Sequence, residues 1–327
     1  MKTRKILSKN PSSFIDVNNI CSHTTSNKME VNEDAIFDLQ LQSCFFLGVF
    51  DGVGSSETGE FVTQISIDAI TRELKLYEFR PLKYAITQSL REANRLILLR
   101  KTKASYSEIG ASFTGVLVRD REMCLANIGN CRAYLLRDNV IQQLTTDHTY
   151  IQELKSHGIS PSQEDLVERK HVLTRMLGAV PNVNISVFPL WIWDSKDCDV
   201  EGNDVIILCS DGLYEYINIQ DVADKISNCA GNYKSVCEEL TQEAIANGSK
   251  DNISIVTIPL IGQLRNVLPP GYNVSIDDSK EDSFDDDNYD SGIEEYQIDN
   301  NIYVLHLIIL VILFNFISIM FFLVGLN

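Results

Sequence analysis

The sequence predicts an α+β fold in which antiparallel sheets pack together with layers of helices outside them. The predicted elements run in the order strands, two helices, many strands, two helices and one strand. This order lacks the regular strand–helix alternation that is typical of a parallel sheet. Short polar connections such as 119–122 and 137–139 are typical of hairpins, which join antiparallel strands. A hydrophobic content of 44% in 327 residues supplies a sizeable core.

Apolar periodicity predicts the elements in chain order. The first helix shows the pattern clearly, because its apolar residues from Phe61 to Leu74 recur at spacings of three and four. The second begins at Pro81, a residue favoured in the first turn of a helix. Residues 158–170 are polar and predict a surface flap. The predicted strands are 13–24, 35–40, 44–50, 112–118, 123–128, 132–136, 140–144, 171–174, 184–189, 205–210 and 253–259, and the predicted helices are 57–79, the one from 81, 147–157, 219–229 and 233–247.

Two apolar strands end in Asp-Gly. The first is CFFLGVFDGVG, residues 44–54, in which Asp51 follows a run typical of a strand buried on both faces. The second is VIILCSDG, in which Asp211 takes the same place. We expect Gly52 and Gly54 to allow a sharp turn after Asp51. Two carboxylates brought together at such strand ends repel each other and need a cation between them.

Further acids lie at the starts and ends of predicted core strands. Carboxylates, a backbone carbonyl and water are the ligands of hard cations such as Mg²⁺ and Mn²⁺. No His lies in these motifs, and their cysteines, Cys44 and Cys209, belong to apolar runs, which argues against zinc. Taken singly, each acid has a simpler explanation: an Asp-Gly pair is often a turn, Asp251 could cap a loop, and Glu33 and Asp34 could be solvated. The whole set is Glu33, Asp34, Asp51, Asp211, Glu215 and Asp251.

The net charge of −17 is concentrated near the C-terminus. Residues 277–299 hold eleven acids and one Lys, and the rest of the chain is mildly acidic. A nucleic-acid-binding protein needs a basic surface, so this function class is excluded. The eight cysteines form no CxxC pair and several lie in apolar runs, which indicates reduced core thiols rather than disulfides or zinc ligands.

The composition predicts four segments. They are a polar tail without a secretory signal at 1–12, a folded domain at 13–262, an acidic disordered linker at 263–301, and a transmembrane helix at 302–326. The last segment has 25 residues without a charged side chain, and about 20 apolar residues span a bilayer. A buried C-terminal helix is the alternative. Since one residue follows this segment, we expect a single-pass C-terminal anchor with the folded domain in the cytoplasm.

A series of motifs carries a family resemblance over about residues 13–260. In order they are VNEDA, GVFDGVGS, GASFTGVLV, LANIGNCRAYLL, LTTDHT, VLTRMLGA, LCSDGLYEYI and KDNISIV. The series resembles the metal-dependent, type 2C protein serine/threonine phosphatases, especially the bacterial members. The resemblance implies a four-layer α-β-β-α sandwich of two antiparallel sheets flanked by helices, with a two-metal centre at one end of the sheets.

The resemblance also implies roles for individual residues. Asp51 matches the aspartate that bridges both metals, and Gly52 matches the carbonyl ligand of one of them. Asp211 and Asp251 match further ligands of the first metal. Glu33 matches an acid in the shell of the second metal, and Asp34 matches the neighbouring residue that holds metal-bound water. Two Mn²⁺ or Mg²⁺ ions held in this way would activate a water for attack on phosphorus, so Asp51, Asp211 and Asp251 act through that water.

Three positions depart from the family pattern, and one of them is Val53, which stands where some members have a His suited to protonating the leaving group. Met29 stands where the family usually has a phosphate-binding Arg, and the adjacent Lys28 is our candidate replacement. Lysine binds phosphate as a point charge, whereas arginine binds it with a bidentate fork. Asn130 replaces an aspartate that helps to bind a third metal, so we expect that site to be weak or empty.

The resulting hypothesis is a membrane-anchored phosphatase that hydrolyses phosphoserine and phosphothreonine in proteins. Its expected partners are phosphorylated proteins, a cognate serine/threonine kinase and, through residues 302–326, the lipid bilayer. The alternative is a weakly active or inactive module with the phosphatase fold, which binds phosphoproteins or a regulatory partner at the membrane. Met29 and Asn130 favour the alternative, and the intact set of Asp51, Asp211 and Asp251 opposes it.

Overall fold

The computed structural model describes residues 14–27, 29–54, 56–104, 109–193, 203–229 and 231–265. All of them belong to one compact unit, Met1–Ile276. The strands are β1 (Cys21–Thr25), β2 (Asp34–Gln40), β3 (Phe45–Val53), β4 (Gly110–Arg119), β5 (Glu122–Ile128), β6 (Arg132–Arg137), β7 (Val140–Gln143), β8 (Ser186–Trp193), β9 (Val205–Cys209), β10 (Ile253–Pro259) and β11 (Gln263–Arg265). The helices are α1 (Ser56–Leu76), α2 (Leu82–Ala104), α3 (Tyr150–Ser156), α4 (Gln163–Glu168), α5 (Asp211–Tyr214), α6 (Ile219–Asn228) and α7 (Tyr233–Ala246).

The strands form two antiparallel sheets. One has five strands in the order β1-β10-β9-β6-β7, and the other has six in the order β11-β8-β5-β4-β3-β2. Strand β3 lies between β2 and β4 in the larger sheet and is buried over most of its length, as its continuous apolar run predicts. Strands β9 and β10 are neighbours in the smaller sheet. The predicted acids therefore lie near the ends of two pairs of neighbouring strands. These pairs are β2 and β3 in the larger sheet and β9 and β10 in the smaller sheet.

Three apolar layers hold the fold together. One layer lies between the larger sheet and helices α1 and α2, and it includes Phe46, Phe50 and Phe113. A second lies between the two sheets, and a third lies between the smaller sheet and helices α5 to α7. This arrangement confirms the predicted α+β fold with two antiparallel sheets and outer helices. The seven cysteines in the described part of the chain are free, and all but Cys229 are buried.

Several local predictions are corrected. The strand predicted at 171–174 does not form, because this segment makes only the isolated bridge Thr149↔Leu173. The flap at 158–170 is exposed as predicted, yet it contains α4, whose N-terminus is capped by reciprocal hydrogen bonds between Ser162 and Asp165. Residues 263–265 were assigned to the linker from composition, but they pair with β8 as β11. The folded segment therefore extends to Arg265.

The predicted transmembrane segment, 302–326, lies outside the described residues. Within the described ranges, no helix is both long enough and apolar enough to cross a membrane. The membrane anchor stays a prediction from the sequence.

Candidate metal centre

Two aspartates face each other across the edge of the larger sheet. Asp34 is the first residue of β2, and its direct partner in the antiparallel register is Asp51 of β3. On its other side, Asp51 is opposite Ser112 of β4. Asp34 is buried and Asp51 is partly buried. Residues opposite each other in a sheet have closely spaced Cβ atoms, so the register places two acids side by side.

The smaller sheet brings two more aspartates to the same region. Asp211 begins α5 directly after β9, and Asp251 lies in the loop before β10. Gly212 permits this approach: a Cβ atom there would lie 2.1 Å from the backbone oxygen of Asn252. A side chain at position 212 would push α5 away from the Asp251 loop. The Asp-Gly pair thus serves close packing of two backbone segments rather than a turn alone.

Asn252 connects the Asp251 loop to Glu33. Its side-chain oxygen accepts a hydrogen bond from the backbone N–H of Glu33, with an N···O distance of 2.7 Å. Its side-chain amide donates to the backbone oxygens of Ser26 and Val31 at 3.2 and 3.3 Å. The segment that leads into β2 is therefore fastened to the segment that leads into β10. This contact holds Glu33 near Asp251.

Gly52 and Gly59 leave room for Glu33. A Cβ atom at Gly52 would lie 2.6 Å from the backbone oxygen of Gly59, and one at Gly59 would lie 2.2 Å from Oε2 of Glu33. The backbone N–H of Gly52 donates to the backbone oxygen of Glu33 at 3.2 Å. Gly52 lies within β3 and has no positive φ, so the sharp turn expected there is wrong. The two glycines instead let α1 and β3 pack closely around Glu33.

Ser210 orients Asp34. The Ser210 hydroxyl donates to Oδ2 of Asp34 at 2.7 Å and accepts from the backbone N–H of Ser254 at 3.0 Å. This chain of hydrogen bonds links β9 and β10 of one sheet to β2 of the other. Neither Ser210 nor Asn252 was singled out from the sequence. Each adjoins a predicted ligand, Asp211 or Asp251, and that adjacency is the signal that could have indicated both.

The carboxyl groups raise one another's pKa values. Burial raises the pKa of Asp34 to about 7, and the charges of Asp211 and Asp251 add to this effect. Burial and the charge of Asp211 hold the pKa of Asp51 well above its usual value. Burial and the charge of Asp251 raise the pKa of Asp211 to about 6. Burial, followed by the charge of Asp251, raises the pKa of Glu33. The charged form of this cluster therefore requires compensating positive charge.

Asn130 lies against Asp211. Its side-chain amide donates to Oδ2 of Asp211 at 2.8 Å, and its backbone oxygen accepts from the Tyr214 hydroxyl at 3.0 Å. The side-chain oxygen of Asn130 is buried and has no hydrogen-bond partner in the described part of the chain. The guanidinium of Arg132 stacks 3.6 Å from the Tyr214 ring and forms an ion pair with Asp147. These contacts fix the position of α5 and its first residue.

The donor set fits one or more hard cations. Within the described ranges, no three His, Cys, Asp or Glu side chains are arranged so that they could hold an ion as they stand. The chemistry of the cluster nevertheless matches divalent cations, since its donors are oxygens and its carboxyls carry raised pKa values. The side-chain oxygen of Asn130, which has no hydrogen-bond partner among the described residues, is a further neutral ligand atom at the edge of the acid cluster. Glu33, Asp34, Asp51, Gly52, Asp211 and Asp251 are the residues that could hold the ions.

The structure does not place every predicted site residue. Lys28 lies outside the described residues, while its neighbour Met29 is 44% exposed. His148 accepts a hydrogen bond from the backbone N–H of Gly129 at Nδ1. Burial, followed by the charge of Arg175, lowers the pKa of His148 to about 3. His148 is therefore a neutral, buried residue that supports the turn before Asn130.

The family described as protein phosphatase 2C matches residues 15–253, which is well over half of the chain. The chain belongs to the protein phosphatase 2C family. Among curated proteins, the serine/threonine phosphatase stp of Listeria welshimeri is 24% identical to it over 234 residues, covering 69% of this chain and 87% of that protein. The family membership confirms the resemblance inferred from the motifs.

Solved structures of bacterial phosphatases share the fold. The serine/threonine phosphatase PstP/Ppp of Mycobacterium tuberculosis superposes with a TM-score of 0.63 at 22% identity, covering 76% of this chain and 99% of that one. A structure of the PstP catalytic domain in complex with two manganese ions gives a TM-score of 0.61 at 21% identity, with coverages of 76% and 99%. These likenesses establish a protein phosphatase 2C fold of two antiparallel sheets with outer helices.

Proposed function

We propose that this chain is a divalent-cation-dependent phosphatase that hydrolyses phosphoserine and phosphothreonine in proteins. The observation that carries the proposal is the register of β2 and β3, which sets Asp34 directly opposite Asp51 beside Asp211. Burial and mutual repulsion raise the pKa values of all three carboxyl groups. Such a cluster is suited to holding Mn²⁺ or Mg²⁺, and the chain belongs to a family of serine/threonine protein phosphatases.

The proposed cofactor is two Mn²⁺ or Mg²⁺ ions, held by Asp51 together with Gly52, Asp211, Asp251, Glu33 and Asp34. Bound there, the ions would supply a water activated at neutral pH and would offset negative charge on the phosphoryl oxygens. Carboxylates suit this task because they bind hard cations through oxygen.

The protein's own contribution is to fix the donors before a ligand arrives. Asp34 is oriented by Ser210, and the Asp251 loop is fastened to the Glu33 segment by Asn252. Asn130 donates to Asp211 and so holds that carboxylate in one orientation. Ligand atoms that are already held in place need not rearrange when an ion binds, whereas water molecules in solution must.

Phosphate release by the full-length chain tests the proposal. We expect hydrolysis of p-nitrophenyl phosphate and of a phosphothreonine peptide in the presence of Mn²⁺, and no hydrolysis with a chelator. Asp51→Ala or Asp211→Ala should abolish turnover, whereas Asp68→Ala, on the exposed face of α1, should not. Absence of turnover by the unaltered chain at millimolar Mn²⁺ would contradict the proposal.

A non-catalytic module is the second candidate. The hydrogen bond from Asn130 to Asp211 favours it, because an amide donor already satisfies one oxygen of a proposed metal ligand. Calorimetry separates the two: Mn²⁺ binding without phosphate release selects a module that binds phosphoproteins, and binding with release selects the enzyme.

We further propose that residues 302–326 anchor the protein in a membrane, with the phosphatase domain in the cytoplasm. The support is the run of 25 residues without a charged side chain, which is long enough to cross a bilayer. Cell fractionation tests this proposal, with the full chain expected in the carbonate-resistant membrane fraction. A chain lacking residues 302–327 should be soluble, and an unchanged membrane fraction would contradict the proposal.

A further inference from the structure

A cleft of about 420 Å³ opens beside the acid cluster. It is the place where a phosphorylated substrate would approach Asp211 and Asp251. A phosphoryl group is an anion, so the cleft must present positive charge to bind it. The residues that line the cleft include Met29, His171, Glu215, Tyr216, Lys250 and Asp251.

Two basic side chains near the cleft already lie beside a carboxylate. The ammonium of Lys170 lies 3.1 Å from Oε1 of Glu215, and Nδ1 of His171 lies 3.6 Å from the same oxygen. Lys250 is exposed, lines the cleft and forms no ion pair with any described residue. Among the described residues that line the cleft, Lys250 is therefore the cation available for a ligand.

Two loops hold Lys250 and Met29 in one unit. The side-chain amide of Asn27 donates to the backbone oxygens of Ser249 at 2.6 Å and Asp251 at 3.3 Å, on both sides of Lys250. In return, the amide of Asn252 donates to the backbone oxygens that flank Met29, those of Ser26 and Val31. The charged Lys250 and the apolar Met29 therefore lie on two loops that are hydrogen-bonded to each other.

Met29 gives the cleft an apolar contact. Its side chain is 44% exposed, which leaves it free to touch a ligand. A thioether is flexible and polarisable, so it adapts to apolar side chains of different shapes. Acidic ligand residues would instead meet Asp211, Glu215 and Asp251. Like charges brought together in this way are unfavourable and select against an acidic neighbour.

We propose that Lys250 binds the phosphoryl group of the substrate and that Met29 binds an apolar side chain next to the phosphorylated residue. The preferred substrates are accordingly phosphopeptides with an apolar, rather than an acidic, residue beside the phosphoserine or phosphothreonine. This inference rests on the proposed phosphatase function and adds a substrate class to it.

Steady-state kinetics of the full-length chain with two phosphothreonine peptides test the inference. The peptides differ only in the residue after phosphothreonine, which is Leu in one and Asp in the other. We expect a lower KM for the Leu peptide. Lys250→Ala should raise KM about 5-fold for both peptides, as loss of one exposed ionic contact implies, with kcat changed less. Lys250→Arg should restore KM, because it keeps the charge.

Met29→Ala should reduce the difference in KM between the two peptides while leaving Mn²⁺ affinity unchanged. Lys83→Ala on α2 is the matched control, since Lys83 is also exposed and lies outside the cleft. Calorimetric Mn²⁺ titration of each variant shows whether the neighbouring Asp251 is disturbed. An intact Mn²⁺ isotherm assigns the change in KM to Lys250 itself.

Three results would overturn the inference: an unchanged KM in Lys250→Ala, no preference for the Leu peptide, or a KM that rises only in Lys28→Ala. The failure of the proposed function is recognised separately, because the unaltered chain would then release no phosphate from p-nitrophenyl phosphate. In that event, fluorescence anisotropy of the two labelled peptides measures binding, and equal dissociation constants for the unaltered chain and Lys250→Ala would still reject the inference.

Discussion

The side-chain amide of Asn130 donates a 2.8 Å hydrogen bond to a carboxylate oxygen of Asp211. Asp211 begins α5, and Asn130 lies in the connection from β5 of the larger sheet to β6 of the smaller sheet. The bond therefore joins this connection between the sheets to the helix that carries a proposed ligand. This bond lowers the pKa of Asp211 against the upward effects of burial and of Asp251. A neutral donor thus partly offsets the charge of one acid in the cluster.

Asn130→Asp should make the protein depend more strongly on divalent cations. The substitution replaces a donor to Asp211 with a second carboxylate, and like charges at that distance repel. We expect a lower melting temperature in chelator and a larger rise on addition of Mn²⁺ than the unaltered chain shows. Thermal unfolding with and without Mn²⁺ measures both, and a calorimetric stoichiometry above two would show that a third ion can bind.

Asn139→Asp is the matched control for this variant. Asn139 also donates from its amide to an aspartate, Asp224, at 3.1 Å, but this pair is exposed and lies outside the cluster. Its substitution should change the Mn²⁺ response little. Equal Mn²⁺ responses of the two variants would show that Asn130 has no special relation to the metal centre.

Without divalent cations, stability should fall as the pH rises from 5 to 8. The folded-state pKa is about 7 for Asp34 and about 6 for Asp211, and that of Asp51 is well above its usual value. The folded protein therefore binds protons that the unfolded chain has released. Their stabilising effect is fully present below the usual value of 3.8 and is lost as the pH passes through the raised values.

Melting temperatures in chelator across this pH range measure the effect. Saturating Mn²⁺ should raise the melting temperature more at pH 8 than at pH 5, because the ions compensate carboxylates that are charged only at the higher pH. Asp51→Asn removes one of the mutually repelling acids and should flatten the profile. A melting temperature that is independent of pH in chelator would contradict the raised pKa values.

The sequence singled out the acids that lie together in the structure, but not the contacts that position them. Asp51 and Asp211 were found because a charged residue after a long apolar run is chemically conspicuous. Ser210 and Asn252 were missed because polar residues in loops are common, and their roles depend on contacts between segments far apart in the chain. Long-range pairing of this kind leaves no local periodicity in the sequence.

Fold elements show the same division between local and long-range information. The long helices α1 and α2 follow from apolar spacing, which is a local property. The short strand β11 exists only because Gln263–Arg265 pairs with Trp191–Trp193, and its own sequence does not predict it. Gly52 was assigned to a turn because glycine is typical of turns, whereas its actual role is close approach to Gly59.

Alanine substitutions at Gly212 and Gly59 should have different effects, the first on the stability of the fold and the second on Mn²⁺ binding. A Cβ atom at Gly212 would lie 2.1 Å from a backbone oxygen of Asn252, so Gly212→Ala must displace a loop and should cost about 1–3 kcal/mol of stability. A Cβ atom at Gly59 would instead meet the carboxylate of Glu33, the end of a flexible side chain. Alanine also favours the helix at position 59.

We therefore expect Gly59→Ala to leave the melting temperature in chelator nearly unchanged but to weaken Mn²⁺ binding, because Glu33 must move. Gly212→Ala should lower the melting temperature even in chelator. Urea denaturation and Mn²⁺ calorimetry on both variants make the comparison, each variant serving as the control for the other. Normal Mn²⁺ affinity in Gly59→Ala would remove Glu33 from the proposed ligand set.

Met29→Arg should strengthen substrate binding. Met29 is 44% exposed and lines the cleft, so a longer side chain can be accommodated there without displacing the core. A guanidinium binds a phosphoryl group with a bidentate fork, which the thioether cannot do. We expect KM for p-nitrophenyl phosphate to fall about tenfold, as a new charge-assisted pair of hydrogen bonds implies. Met29→Leu keeps the apolar character and should leave this KM unchanged. Because p-nitrophenyl phosphate has no peptide residue beside its phosphoryl group, a lower KM would show that the longer arginine side chain reaches the phosphoryl group from position 29. An unchanged KM would contradict this prediction.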